Sequence, residues 1–132
     1  MYMKHKLPMI LTSILCFAIA CSPMYAHHGT QVSYDLNRKI ELKGTVTEFK
    51  WSNPHVQLYL DVKDEKGSVV HWTIEGNSPF NWARMGWNRN TLKPGDEITI
   101  YVYPSKVAGV PSGVVNKVVL ANGQEVLKFT GQ

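Results

Sequence analysis

Asn77-Ser78-Pro79-Phe80-Asn81-Trp82-Ala83-Arg84-Met85-Gly86-Trp87 (NSPFNWARMGW, 77–87) is where the periodicity of the chain changes, and that change decides the fold. Asn77 or Ser78 can cap a helix whose first position takes Pro79, since the N–H that Pro lacks would have no partner there anyway. Gly86 suits the end of such a helix, and Phe80, Ala83 and Trp87 fall at helical spacing. On both sides of this stretch the apolar residues alternate instead, with the period of two that marks a half-buried strand.

Upstream, Ile40, Leu42, Gly44 and Val46 alternate with Glu41, Lys43, Thr45 and Thr47, and the apolar phase then shifts to Phe49 and Trp51. A bulge near Thr47-Glu48 or a bend at Gly44 accounts for the shift. Asn53-Pro54 breaks the strand, because Pro lacks a donor and holds the preceding residue extended. A second strand is predicted over 55–62, with Val56, Leu58, Leu60 and Val62 on one face and His55, Gln57, Tyr59 and Asp61 on the other. After the turn Asp64-Glu65-Lys66-Gly67, a third strand turns Val70, Trp72 and Ile74 inward and His71, Thr73 and Glu75 outward. The loop leaves the hairpin register open, with His71 opposite Tyr59 or Asp61.

Downstream, Lys93-Pro94-Gly95-Asp96 is a strong turn. Ile98, Ile100 and Val102 begin a fourth strand, and residues 114–120 form a fifth before the Asn122-Gly123 turn and a short tail. Three strands, one helix and two strands is the element order of an OB-like, five-stranded Greek-key barrel, all-β apart from one short helix between strands three and four.

The first 26 residues read as a signal peptide. Lys4 and Lys6 precede an uncharged apolar run, residues 9–20, which is too short to span a bilayer and suits an export signal. Cleavage after Ala26 leaves an N-terminal arm, 27–35, ahead of a barrel domain, 36–132. The alternative is Ala18-Ile19-Ala20 before Cys21, which is similar to a lipobox and would anchor the chain to a membrane through acylated Cys21. Either way the protein is expected in the periplasm. Losing Lys4 and Lys6 lowers the formal net charge from +4 to +2, and no basic run remains, so no nucleic-acid partner is expected. Both cysteines, Cys16 and Cys21, lie in the leader, so the mature chain holds itself by packing rather than by disulfides.

With His27-His28 directly after the leader come LKGTV (42–46), WSNPH (51–55), YLDVKD (59–64), Ser78-Pro79 followed by Arg84-Met85-Gly86-Trp87, and LKPGD (92–96). In these segments the chain resembles the DUF6152 type of small exported bacterial proteins, a family of unknown function. The resemblance implies an exported one-domain protein with a small β-barrel, and no established activity. Gly29 stands where Ser is typical, and Thr30-Gln31 where small apolar and aromatic residues are expected.

Four histidines outlast the leader: His27, His28, His55 and His71. If His27 becomes the first residue, its free amine and imidazole are adjacent donors, and mixed amine and imidazole sets suit Cu(II) or Zn(II). His28 completes such a set with His55, which Pro54 stiffens, or with His71 on the neighbouring strand. Against this, a histidine pair in an arm is often merely solvated, and His71 can pair with Asp61 or Glu75. Tyr59 and Gln57 point outward on the strand two/three face, where OB-folds bind ligands, so a protein or saccharide partner is the alternative to a metal. The tryptophans read as core, with Trp72 inward and Trp82 or Trp87 sealing the barrel under the helix. Arg84 is a carboxylate clamp or a surface partner for an acid such as Glu75. Enzyme chemistry is hard to assemble: the mature chain has no cysteine nucleophile, no Gly-x-Ser-x-Gly setting and no paired acids. The reading is a binding module, with copper as its candidate cofactor.

Overall fold

The computed structural model describes residues 33–128, so residues 1–26, expected to be a signal peptide, with Cys21 among them, and His27 and His28 lie outside the described residues. The strands are β1 (Ile40–Lys50), β2 (Gln57–Lys63), β3 (Val69–Glu75), β4 (Glu97–Pro104), β5 (Ser112–Leu120) and β6 (Glu125–Lys128), with helix α1 (Pro79–Arg84) between β3 and β4. They form one sheet in the order β3-β2-β1-β4-β5-β6, and a parallel β3–β5 pairing closes the first five into a barrel. This is the OB-like architecture that the element order implies. The tail after Asn122-Gly123 is a sixth strand instead, turned back onto β5 by Gly123 at φ 82°.

β1 serves both halves of the barrel, pairing with β2 at one end and β4 at the other. It can do so because the β1–β2 register slips between Val46 and Glu48, a bulge that curves the strand and rotates Phe49 toward the core. Gly44 contributes too: a Cβ there would lie 2.8 Å from the Asp61 carbonyl oxygen. The LKPGD turn is fastened to the same bend, with Gly95 N–H donating to Val46 O at 2.8 Å and Val46 N–H to Asp96 O at 2.8 Å.

Alternation fills the interior. Leu58, Leu60 and Val62 on β2, Ile98, Ile100 and Val102 on β4, and Val115 and Val118 on β5 are buried, together with Leu42, Val46, Val56 and Ile74. Each such side chain contributes on the order of 1.5–3 kcal/mol by leaving water. β2 begins two residues later than its apolar pattern suggests, so His55 sits in the connection ahead of it.

α1 starts as its sequence implies. Ser78 caps it, its side chain accepting from Asn81 N–H at 3.3 Å, and Pro79 follows. Trp82 is core, as the tryptophans were expected to be, but Phe80 and Ala83, at helical spacing with Trp87, do not share a buried face with it. Phe80 is 71% exposed and Ala83 is exposed, whereas Trp82 is buried. The helix has six residues and ends before Trp87, so a helical period cannot carry from Phe80 to Trp87. Trp82 plugs the barrel end, 4.7 Å from the Trp87 ring and 6.0 Å from Phe49, with Trp51 edge-on at 6.4 Å.

Candidate functional site

The last residues of the arm dock on the barrel where β4 ends. Tyr34 bridges to Ser105, Asp35 N–H donates to Pro104 O at 2.9 Å, and Lys106 N–H to Ser33 O at 3.0 Å. This seats the Tyr34 side chain against the end of β3, where its hydroxyl donates to Glu75 Oε2 at 2.9 Å. Glu75 is fixed in turn by its strand, which pairs with Gln57 of β2 on one side and Val114 of β5 on the other.

His55 reaches the same carboxylate from the other direction. Val56 is fully buried, and its backbone exchanges bonds with the segment after β3: Val56 N–H to Asn77 O at 3.0 Å and Gly76 N–H to Val56 O at 2.8 Å. That pairing holds the preceding residue beside Glu75, and His55 Nδ1 contacts Glu75 Oε1. The carboxylate therefore has one oxygen on Tyr34 and the other on His55. The imidazole is half exposed, at 48%. A pocket of about 240 Å³ opens alongside, lined by Leu36, His55, Glu75, Asn77, Tyr103 and Val114 among others. Burial, the bond to Glu75 and its negative charge, in that order, push the Tyr34 hydroxyl up to about 12, so it remains a donor through the neutral range.

The other sequence candidates lie elsewhere. His71 stands opposite Asp61, which settles the hairpin register, and its Nδ1 is 2.6 Å from Asp61 Oδ1 with the ring 84% exposed. His71 and Glu75 are four residues apart on an extended strand, about 13 Å, so the structure does not bring His71 and His55 together. Tyr59 faces Thr73 across the sheet and donates to Gln57 Oε1 at 3.0 Å. Arg84 is exposed in the last turn of α1, and the acid weighed as its partner, Glu75, is engaged by His55 and Tyr34 instead. Among the described residues no group of three or more His, Cys, Asp or Glu converges. Sequence reading missed Tyr34 and the bridging position of Glu75. Tyr34 sits in a polar arm without periodicity, and its partner is 41 residues away.

A family model described as "Family of unknown function (DUF6152)" matches residues 14–115. No curated protein matches the chain. Among solved structures, a mitochondrial single-stranded DNA binding protein from S. cerevisiae, Rim1, is similar at a TM-score of 0.50 and 15% identity, over 64% of this chain and 92% of that one. A ZRD-deleted mutant of TiaS in complex with agmatine is similar at a TM-score of 0.44 and 15% identity, over 74% of this chain and 24% of that one. The first likeness is one of fold, and it overturns the exclusion of nucleic acid drawn from net charge. Barrels of this kind hold single strands by a local groove and by stacking, which a charge summed over the chain does not report.

Proposed function

The chain belongs to the DUF6152 family of unknown function, and from that premise we propose that it is an exported binding module that captures a divalent metal ion, Cu(II) foremost. The ion is held by the His27 amine and imidazole, by His28 and by His55. The observation that carries this reading is the meeting of arm and His55 at one carboxylate: Tyr34 of the arm and His55 both bind Glu75. His28 precedes the docked Ser33 by five residues, a span of up to about 17 Å when extended.

Intact mass of the exported protein tests the first requirement, a chain beginning at His27. Cu(II) titration followed by d–d absorption tests the second, on the processed protein, on a form with one residue added before His27, and on His55→Ala. Tight binding that both changes weaken supports the full donor set. Binding no tighter than that of a peptide of the first six mature residues rejects it.

A second reading is favoured by the Tyr59–Gln57 bond. It draws the Tyr59 ring along β2 toward Gln57 on the outer face, as a platform for a saccharide with Gln57 supplying amide groups. Tyr59→Ala should then weaken binding to oligosaccharides while leaving Cu(II) unaffected. A single-stranded oligonucleotide in the same titration shows whether that face takes the kind of ligand named for the yeast barrel.

A further inference from the structure

We infer that Glu75, held by Tyr34, is a positioning residue that locks His55 in the Nδ1–H tautomer and presents Nε2 as its donor atom. For its consequence on metal affinity this rests on the reading above. A neutral imidazole has one N–H donor and one acceptor nitrogen, whereas an ionised carboxylate only accepts. The nitrogen against Glu75 Oε1 is Nδ1, so the proton belongs there and the lone pair is left on Nε2.

The carboxylate cannot turn away to suit another tautomer. Its second oxygen accepts from Tyr34 at 2.9 Å, and its backbone is paired on both sides within the barrel. Histidines that ligate metals characteristically give their other N–H to a carboxylate, which fixes the ring and raises its basicity. Here that partner is already in place. It is also tied to the arm, because Tyr34 comes from the segment that follows His27-His28. Seating of the arm and orientation of the distant ligand are therefore one structural event. A mainly exposed pair of the same type, His71 with Asp61, gives an internal reference for a ring without this second anchor.

Long-range ¹H–¹⁵N correlation spectra of the processed protein at about pH 9, where an ordinary imidazole is neutral, read the tautomer directly. His55 should appear as the Nδ1–H form. Glu75→Gln should move it toward the Nε2–H form, and Tyr34→Phe should move it the same way by less. The Cu(II) affinity of Glu75→Gln should fall roughly 10–100-fold, and that of Tyr34→Phe by several-fold, with every proposed ligand still present. If Glu75→Gln does not fold, Tyr34→Phe, which removes one hydroxyl, carries the test. A wild-type His55 in the Nε2–H form overturns the inference, as does a tautomer ratio indifferent to both substitutions. Should the tautomer respond as stated while the protein binds no copper, the positioning role stands and the metal reading falls.

Discussion

Gly76 lies so close to the indole of Trp82 that a Cβ on Gly76 would overlap the ring. The glycine is required by this contact, not by its dihedral angles, since it is absent from the positive-φ glycines of the chain. With Asn77 it also links Glu75 to Ser78, the cap of α1, so the plug of the barrel and the candidate site share a backbone. Gly76→Ala is expected to destabilise the fold by about 1–3 kcal/mol, the usual cost of forcing extra volume into a packed core. Urea unfolding measures it, and a change below about 0.5 kcal/mol would show that the indole can retreat.

The helix gives a sharper contrast. Trp82 is 1% exposed and Phe80 71% exposed, although both are large and apolar. Trp82→Ala should cost about 3–5 kcal/mol through lost burial and the cavity left behind. Phe80→Ser should stay within about 0.5 kcal/mol of wild type, as surface changes do. Equal losses in thermal unfolding would mean that Phe80 is covered in solution.

Those two residues mark how far the sequence could be read. Strand positions were legible because alternation on β2 and β4 is enforced by a barrel wet on one side, and the caps of α1 because Ser78, Pro79 and Gly86 each answer a local backbone need. The exposure of Phe80 and Ala83 was not, since six residues are too few for their spacing with Trp87 to define a face, whereas Trp82 answers the reading of the tryptophans as core. The β2–β3 register was open until the sheet paired His71 with Asp61. Half of the candidate site was hidden for a different reason. His55 stood out by residue type and by the proline before it, whereas Tyr34 acquires its role through a contact with a residue 41 positions away in the chain.

β6 is held to β5 by its ladder and by the Lys117–Glu125 pair, and a side chain from outside the sheet adds to this. Trp87 Nε1–H donates to Val126 O at 2.9 Å, joining the loop after α1 to the last described strand. Trp87→Phe keeps most of the apolar ring but leaves that carbonyl without its donor, at a cost of about 1–3 kcal/mol. Amide exchange at residues 125–126 should accelerate more than at β4. Uniform acceleration across the barrel would instead mean that the substitution loosens the core as a whole.

Tyr34 makes stability depend on alkaline pH in a defined direction. Its folded value is raised from 10.0 to about 12, first by burial and then by Glu75, so the folded state favours the neutral hydroxyl. The resulting stabilisation is fully present below pH 10 and is lost as the pH rises from 10 through 12. Absorbance at 295 nm should show a late-ionising tyrosine that Tyr34→Phe removes. Glu75→Gln should lower its value only part of the way, because burial remains. Full reversion to an ordinary tyrosine would make Glu75 the main cause.

The separation of the two histidines decides which of them can serve an ion with the arm. His55 shares Glu75 with Tyr34, whereas His71 is bound to Asp61 at the far end of the same strands. About 13 Å of backbone lies between His71 and Glu75 along β3, and each ring is turned to its own carboxylate. His71→Ala is accordingly expected to leave Cu(II) affinity within about two-fold of wild type, where one such factor is about 0.4 kcal/mol. His55→Ala should lower the affinity by at least ten-fold, with far-ultraviolet circular dichroism unchanged. Equal losses from both substitutions would require each histidine to sit in its own site, and a stoichiometry of two ions per chain would then be measurable in the same titration.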